Sequence, residues 1–267
     1  ILQDTKGFLW VGTDDGLNRY DGYTFTVYKP DTNNLDSLSD RSITSLAEDS
    51  QGFLWIGTRQ GGLNRYDPVS GKFTHYRHSE TDEQTIASNL IYSLCLDENG
   101  LWIGTDNGLD HLDLNTGKFT HYYVPDDTPP NARSLSSNII RALFKDSKGQ
   151  IWIGTGNGGL NVYNPRNDTF KVFKNDKNNP ETLTSNRVLS ITEGQDGSIW
   201  VGTTNGLNQY IPNHAAFKRF ENSRYRIHSL AGNIVYSLHI DRSGGLWVGT
   251  NKGLDRFDPA TNKFIHH

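Results

Sequence analysis

Short apolar segments alternate with polar, glycine-containing turns along the whole chain. Residues 41–77 contain four segments of strand length in succession: RSITSLAED, LWIGT, GLNRYD and KFTHY. They are rich in β-branched and aromatic residues, which is typical of β-strands. Tight turns such as DSQG separate them, with Asp at the start and Gly near the end. No segment keeps a 3.6-residue period, so the pattern predicts short antiparallel strands and argues against a helical repeat.

The same four-segment unit returns along the chain. Every Trp lies in one pentapeptide, in chain order LWVGT, LWIGT, LWIGT, IWIGT, IWVGT and LWVGT, and successive Trp residues are 45, 47, 50, 48 and 47 positions apart. A second motif follows each pentapeptide: GLNRYD, GLNRYD, GLDHLD, GLNVYN, GLNQYI and GLDRFD. Four strands repeated at a period in the 40–50-residue range are the sequence pattern of β-propeller blades.

We therefore predict an all-β fold, a β-propeller of four-stranded antiparallel blades that forms one domain over residues 1–267. The six repeats span approximately 1–30, 41–77, 89–123, 138–174, 186–221 and 233–267. A six-bladed ring is favoured, because an open arc would expose two apolar blade faces. Part of a seven-bladed ring is the alternative. Since Ile1 falls midway along a strand pattern, we expect the chain to be a fragment of a longer protein.

The tryptophans are interpreted as structural. Each is expected to be a wedge between adjacent blades, and the Gly two positions later lets a neighbouring blade approach closely. A sugar-stacking role is the alternative, but identical positions inside every strand core favour packing. The Asp-x-x-Gly turns singly resemble calcium loops, yet each offers one or two carboxylates, too few for a site with 6–8 oxygen ligands. The residues assigned this structural role are Trp10, Trp55, Trp102, Trp152, Trp200 and Trp247.

Composition narrows the range of functions. The net charge is −4 and no basic block occurs, which argues against nucleic acid as a partner. No apolar run of about 18 residues occurs, so we expect no membrane contact by this chain. The single cysteine, Cys95, lies in an apolar strand pattern and is interpreted as a small buried side chain. Because the common catalytic and phosphate-binding motifs are missing, we predict no catalytic residue, no metal site and no cofactor.

The stretch SLSSNIIRALFKDSKGQIWIGTGNGGLNVYNP resembles the two-component regulator propeller repeat, and the resemblance extends over all six units. This repeat forms the extracytoplasmic sensor region of many bacterial hybrid histidine kinases and of some diguanylate-cyclase receptors. The resemblance implies a periplasmic, ligand-sensing propeller, often for glycan fragments, that takes part in signal transduction. It also implies a dimeric parent receptor with a kinase or cyclase output domain, so we do not expect this chain itself to be an enzyme.

Variable positions indicate where a ligand would bind. The loop between the second and third strands differs between the copies, as DD, RQG, DN, GNG, TN and NK. If the strands run outward from an axis, these loops share one face with the long links between blades, and variable tips on a rigid scaffold are typical of binding sites. The first strand varies too. One column reads Thr44, Tyr92, Arg141, Leu189 and Tyr236, and another reads Ser42, Leu90, Ile139, Arg187 and Ile234.

From these positions we predict a ligand site at the axial face. Arg is suited to a bidentate clamp on a carboxylate or sulfate, and Tyr to stacking on a sugar. The alternative is that the Arg side chains are solvated or paired with Asp40, Asp106 or Glu193. An oligosaccharide or other small polar molecule is the expected partner. The candidate residues are Arg41, Arg59, Tyr92, Asp106, Arg141, Arg187, Tyr236 and Lys252.

Two other functions stay open from the sequence. A polysaccharide lyase or hydrolase would need one deviating blade at the axis, for which His239 with Tyr236 and Arg187 is the hint. A protein–protein interaction scaffold without a small ligand would need a large exposed apolar patch.

Overall fold

A computed structural model describes residues 1–125 and 131–267. They form 24 β-strands in six antiparallel sheets of four strands, and neighbouring strands in each sheet are consecutive in the chain. Each sheet is one blade, numbered 1 to 6 along the chain. The predicted fold class, an all-β propeller of four-stranded blades with six blades in this chain, is confirmed. The chain divides into two compact units, Ile1–Tyr123 and Val124–His267.

The first unit contains blades 1 to 3. Blade 1 consists of β1 (Leu2–Gln3), β2 (Leu9–Thr13), β3 (Gly16–Tyr20) and β4 (Phe25–Tyr28). Blade 2 consists of β5 (Ile43–Glu48), β6 (Leu54–Thr58), β7 (Leu63–Tyr66) and β8 (Phe73–Tyr76). Blade 3 consists of β9 (Ile91–Leu96), β10 (Gly100–Thr105), β11 (Leu109–Asp113) and β12 (Phe119–Tyr122).

The second unit contains blades 4 to 6. Blade 4 consists of β13 (Ile140–Lys145), β14 (Ile151–Thr155), β15 (Leu160–Asn164) and β16 (Thr169–Phe173). Blade 5 consists of β17 (Val188–Glu193), β18 (Ile199–Thr203), β19 (Gly206–Ile211) and β20 (Ala216–Phe220), with a short 3₁₀ turn, Pro212–His214, before β20. Blade 6 consists of β21 (Val235–Ile240), β22 (Leu246–Thr250), β23 (Gly253–Asp258) and β24 (Lys263–His266).

A β-bulge occurs at the same place in the first strand of blades 2 to 6. In β5, Ile43 lies opposite Thr58 and Ser45 lies opposite Gly57, so Thr44 is the extra residue. A bulge inserts one residue and re-aims its side chain, and bulges are frequent beside functional sites. The bulged positions are one of the two columns that vary in the sequence. The extra residues are Thr44, Tyr92, Arg141, Leu189 and Tyr236.

The Asp-x-x-Gly turn between the first and second strands also binds the Trp of its own blade. In blade 2, one Asp49 oxygen accepts the indole N–H of Trp55 at 2.8 Å, and the other accepts the backbone N–H groups of Gln51 and Phe53 at 3.0 Å. The carboxylate–indole bond is 2.6–2.8 Å long in five blades. The pairs are Asp4–Trp10, Asp49–Trp55, Asp97–Trp102, Asp146–Trp152 and Asp241–Trp247.

Within each unit, Trp side chains contact an aromatic ring of the following blade. The ring centroids of Trp10 and Tyr66 are 5.5 Å apart, and those of Trp200 and Phe257 are 5.1 Å apart, both in edge-to-face geometry. Such geometry is the favourable one for aromatic pairs. These two Trp side chains therefore join blade 1 to blade 2 and blade 5 to blade 6 inside the buried layer.

The segment that connects the last strand of one blade to the first strand of the next is called the link. Before blades 2, 4 and 5, the Asn of the GLN motif holds this link in place. Asn64 accepts the backbone N–H of Ser39 at 2.9 Å and donates to its hydroxyl at 2.7 Å. The same two-way bond joins Asn161 to Ser136 and Asn208 to Thr184. One amide therefore satisfies a backbone donor and a hydroxyl acceptor of the link at once.

In blades 3 and 6 the motif reads GLD, and a histidine completes the anchor. Asp110 accepts the backbone N–H of Ala87 at 2.7 Å, and its other oxygen lies 2.7 Å from Nδ1 of His121. The second ring nitrogen of His121 lies 2.8 Å from the carbonyl oxygen of Glu83 in the link. Blade 6 repeats the arrangement with Asp255, Ala231, His266 and the carbonyl of Ile227.

The surroundings of both histidines favour the protonated ring. An ionised carboxylate and a carbonyl oxygen only accept, so this geometry suits a His121 ring that donates from both nitrogens. The hydrogen bond to Asp110 raises the pKa of His121, and the hydrogen bond to Asp255 raises the pKa of His266. Asp110 and Asp255 are fully buried, and a buried carboxylate charge is costly without a positively charged partner.

This anchor predicts a loss of stability at alkaline pH. A raised folded pKa contributes stability that is complete below the unfolded pKa of about 6.5 and is lost as pH rises through the folded value. We expect the free energy of unfolding of the native chain to fall between about pH 6.5 and pH 9 by more than that of the His121→Gln/His266→Gln variant. Urea titrations of both proteins at each pH measure the difference. Identical pH profiles would show that the histidines do not carry the effect.

Candidate functional site

The loops between the second and third strands, called tip loops here, are held by a repeated threonine. Thr13 donates its hydroxyl proton to the carbonyl of Gly16 at 2.9 Å and accepts the N–H of Asp15 at 3.1 Å. The same pair of bonds occurs in all six blades. The backbone of each tip loop is therefore fixed while its side chains vary. The six residues are Thr13, Thr58, Thr105, Thr155, Thr203 and Thr250.

The tip loop is bonded to the residue just before the first strand of its own blade. The N–H of Arg59 donates to the carbonyl of Ser42 at 3.0 Å, and the N–H of Thr204 donates to the carbonyl of Arg187 at 3.1 Å. Blades 4 and 6 have the equivalent bonds. The two variable regions found in the sequence, tip loops and first-strand starts, therefore lie side by side within a blade.

A polar cluster joins blades 1 and 2 at this face. The Ser42 hydroxyl donates to Asp14 at 2.7 Å, and Nε of Arg59 donates to the Ser42 hydroxyl at 3.3 Å. Nη2 of Arg59 lies 3.8 Å from the Asp14 carboxylate. The side chains of Arg59 and Asp14 are 61% and 86% exposed, so this ion pair is a weak one that solvent or a ligand can reach. Arg59 is one of the candidates predicted from the sequence, whereas Asp14 and Ser42 are variable positions that were not among the candidates.

Arg41 lies beside the same cluster and is exposed. Asp15 accepts a hydrogen bond from Lys29 at 2.6 Å, and this bond, with smaller help from the charge of Arg41, lowers the pKa of Asp15. Asp40, offered by the sequence as an ion-pair partner, accepts the backbone N–H groups of Ser42 and Gln60 at 3.2 and 2.7 Å. Asp40 therefore serves to shape the turn.

The other candidates of the first unit lie in blade 3. Tyr92 is the half-buried bulge residue of β9, and Asp106 is the exposed first residue of the tip loop after β10. The neighbouring Asn107 donates to the carbonyl of Ala87 in the link at 3.3 Å. The tip loop of blade 3 is thus tied to the link as well as to its own strand.

The second unit holds the remaining four candidates. Arg141 and Tyr236 are bulge residues of β13 and β21, half-buried and 58% exposed respectively. Arg187 is exposed at the start of β17, and Lys252 is exposed in the tip loop of blade 6. Asn251, next to Lys252, accepts the backbone N–H of Ile234 at 3.3 Å. Blades 5 and 6 are neighbours through β17 and β21, so Arg187 and Tyr236 lie on adjacent first strands.

An asparagine recurs shortly before the first strand of blades 3 to 6. Its side chain binds the backbone at the beginning of the link that precedes the same blade. The side-chain oxygen of Asn233 accepts the N–H of Asn222 at 2.6 Å, and the backbone carbonyl of Asn233 accepts the N–H of Gly206 at 2.7 Å. Arg41 stands at this position in blade 2 and replaces the asparagine. The residues with this side-chain bond are Asn89, Asn138, Asn186 and Asn233.

In the described ranges, 1–125 and 131–267, no group of three or more His, Cys, Asp or Glu side chains could hold a metal ion. None of the described helical structure is long and apolar enough to cross a membrane.

Comparison with known proteins identifies the repeat. The family model described as two component regulator propeller matches residues 37–60, 85–107, 134–157, 182–205 and 229–252. Each match runs from the link through the first two strands into the tip loop. The family model thus matches the repeats of blades 2 to 6, and the resemblance inferred from the sequence is confirmed.

Solved structures show the same architecture. The chain is similar over its full length to the extracellular domain of a putative hybrid two component system from B. thetaiotaomicron, with 27% identity, a TM-score of 0.82 and 34% of that chain covered. It is also similar to PorZ of Porphyromonas gingivalis, with 18% identity over 92% of this chain and 36% of that one and a TM-score of 0.67. At this identity the second likeness shows the fold alone.

An enzyme shares the fold. The chain matches virginiamycin B lyase from Staphylococcus aureus with 14% identity, a TM-score of 0.72 and coverage of 100% of this chain and 82% of that one. This likeness too shows the fold alone. Among curated proteins, a 39-residue segment is 51% identical to histidine kinase P4 of Formosa agariphila, and it covers 15% of this chain and 3% of that protein. The chain thus spans about a third or less of the two-component proteins that it resembles.

Proposed function

We propose that the chain is the ligand-sensing propeller of a bacterial two-component receptor and lies outside the inner membrane, in the periplasm. The family repeats and the similarity to an extracellular domain of a two component system support this proposal. The parent receptor would carry the output domain and form the dimer, while this chain supplies the recognition surface.

The bulges are the observation that carries a binding role. The first strands of blades 2 to 6 all carry a bulge at the same register. The extra residue nevertheless differs: it is Thr in blade 2, Tyr in blades 3 and 6, Arg in blade 4 and Leu in blade 5. A bulge interrupts the ladder of backbone hydrogen bonds, so its repetition indicates that the re-aimed side chain matters. Packing alone would favour one residue type at equivalent places, as it does for the repeated Trp.

The chemistry of the second unit favours an acidic or sulfated glycan fragment. Arg187 and Lys252 are exposed cations, and Tyr236 presents more than half of its surface to solvent. A guanidinium binds a carboxylate or sulfate with two parallel hydrogen bonds. An exposed aromatic ring offers an apolar face and a polar hydroxyl to a sugar. In the first unit, the weak Arg59–Asp14 pair offers one more cation that a ligand can recruit.

Binding measurements with matched variants test this proposal. Oligogalacturonates, alginate oligomers and neutral xylo-oligosaccharides are titrated into the chain by calorimetry. We expect an acidic oligomer to bind, and Arg187→Ala to weaken it at least tenfold, since a charge-assisted pair contributes about 1.5–3 kcal/mol. Tyr236→Ala is expected to weaken the same oligomer by a smaller factor.

Two exposed residues on the link before blade 6 provide the controls. Arg224→Ala and Tyr225→Ala remove the same side-chain types where no tip loop or bulge occurs, and Tyr225 is 98% exposed. These variants are expected to bind as the native chain does. If the control pair weakened binding as much as Arg187→Ala and Tyr236→Ala, or if no oligomer bound, the proposed ligand site would be wrong.

A further inference from the structure

Blade 5 departs from the other blades at the end opposite its tip loop. The turn between β17 and β18 has the same backbone bonds as the Asp-x-x-Gly turns: Gly194 N–H to Ser198 O at 2.8 Å and Gly197 N–H to Gly194 O at 2.9 Å. Blade 6 has the equivalent pair, both 2.9 Å long, starting from Asp241. Gly194 therefore stands where five blades place the aspartate that binds Trp, and only the side chain is missing.

The indole of Trp200 consequently lacks its usual acceptor. Trp200 is 4% exposed, and among the described residues its N–H makes no hydrogen bond. A Cβ placed on Gly194 would lie 3.5 Å from Nε1, so the indole nitrogen faces the space that the aspartate occupies elsewhere. The nitrogen is not sealed from solvent, so its N–H is open to water or to a ligand in this space.

The cross-strand neighbour of Trp200 departs too. Gln209 lies opposite Trp200, and Lys218 lies opposite Gln209, so β18, β19 and β20 present the three side chains in one row. In blades 1, 2 and 6 the middle position of this row is an arginine close to the Trp ring, and in blades 3 and 4 it is His111 and Val162, so only blade 5 places an amide there. Gln209 is half-buried, and its amide makes no hydrogen bond to another described residue.

These two changes border a hollow of about 300 Å³ between blades 5 and 6. Its apolar wall comes from Leu246 and Phe257, both buried. Its rim carries Asp196 and Lys218, one charge of each sign, and Lys218 donates to Asn262 at 2.7 Å across the opening. The volume is at the lower end of pockets that hold small ligands.

We propose that this hollow is a second binding site, for a small uncharged polyhydroxylated molecule of monosaccharide size. One ligand hydroxyl accepts the N–H of Trp200 and donates to the amide oxygen of Gln209. A further hydroxyl donates to Asp196, whose carboxylate is exposed at the rim. Since Asp196 and Lys218 balance in charge, the hollow gives a net-charged ligand no advantage. The site lies at the start of β18, away from the tip loop at its end, and does not depend on the proposed axial site.

Gly194→Asp closes the hollow by restoring the side chain of the other blades. Gly194 does not have a positive φ, so Asp fits its backbone. The new Cβ would lie 2.6 Å from Oδ1 of Asp196 and 3.0 Å from Oγ of Ser198, and both are ends of mobile side chains. Gln209→Leu is the second variant: it keeps the hollow but removes the amide. Indole ¹⁵N–¹H spectra of each variant show whether Trp200 has gained an acceptor and whether the other five indoles are unchanged.

The binding test uses methyl α-glucopyranoside, methyl β-galactopyranoside and myo-inositol as neutral probes, with glucuronate and glucosamine as charged ones. We expect a neutral probe to shift the Trp200 indole signal with millimolar affinity, and both variants to weaken it at least tenfold. Absence of any neutral-probe shift in the native chain would overturn the proposal. So would a shift that survives Gly194→Asp, or tighter binding of the charged probes. Arg187→Ala, which removes the proposed axial contact, is expected to leave this shift unchanged.

Discussion

Trp55→Ala is expected to lower the free energy of unfolding by about 3–5 kcal/mol, the usual cost of truncating a large buried aromatic side chain. Trp55 is 1% exposed, and its ring centroid lies 5.6 Å from that of Tyr76. Its N–H binds Asp49 at 2.8 Å. Truncation therefore leaves a cavity and also removes a hydrogen bond from a buried carboxylate. Urea unfolding monitored by far-UV circular dichroism measures the loss.

Two further variants separate packing from the hydrogen bond. Trp55→Phe keeps most of the ring but leaves Asp49 without the indole donor, so we expect a loss of about 1–3 kcal/mol. Trp247→Ala removes a half-buried ring of blade 6 and is expected to cost less than Trp55→Ala, because less apolar surface returns to water. A loss below about 1 kcal/mol for Trp55→Ala would contradict the structural role assigned to the repeated Trp.

The sequence predicts the blades because every copy repeats the same alternation of strand and turn residues. The recurrence of LWIGT and GLNRYD at a period of 45–50 residues favoured blades of a propeller, and the strands β6 and β7 occur where those motifs stand. The variable column in the first strand was visible too. The bulge that causes this variation could not be predicted, because a bulge is a change in pairing register and register depends on the partner strand.

The candidate site was predictable as a set of variable positions but not as a set of contacts. Arg59 was named from the sequence, whereas the Asp14–Ser42–Arg59 cluster joins two blades and depends on how their loops approach each other. Gly194 illustrates the opposite case. A glycine in place of the turn aspartate was visible in the repeat, but its meaning required the knowledge that this aspartate binds Trp.

The choice between Asn and Asp in the GLN/GLD motif follows the residue that it binds in the link. Asn64, Asn161 and Asn208 face a Ser or Thr, whose hydroxyl accepts from the amide. Asp110 and Asp255 face an alanine, and a histidine supplies the missing donor to the carboxylate. The motif residue and its link partner thus form two interchangeable sets, one neutral and one charged.

Asp110→Ala is therefore expected to destabilise the chain by about 3–5 kcal/mol at neutral pH, because it removes the partner of His121 Nδ1 and the acceptor of the Ala87 N–H. Asp110→Asn is expected to cost much less, since neutral His121 can accept from the new amide while Nε2 still donates to Glu83.

The double variant Asp110→Asn/Ala87→Ser recreates the neutral set of blade 2, where Asn64 binds Ser39 and Nε2 of His75 lies 2.7 Å from the carbonyl oxygen of Ser37. We expect it to return to within about 1 kcal/mol of the native stability at pH 7, because each buried donor and acceptor again has a partner. Its unfolding free energy should also lose the alkaline decline that His121 contributes, since no buried carboxylate then requires an imidazolium. Urea titrations of the three variants at pH 6.5 and pH 9 provide the comparison. If Ala87→Ser added nothing to Asp110→Asn, or if the alkaline decline persisted unchanged in the double variant, the two anchor sets would not be interchangeable.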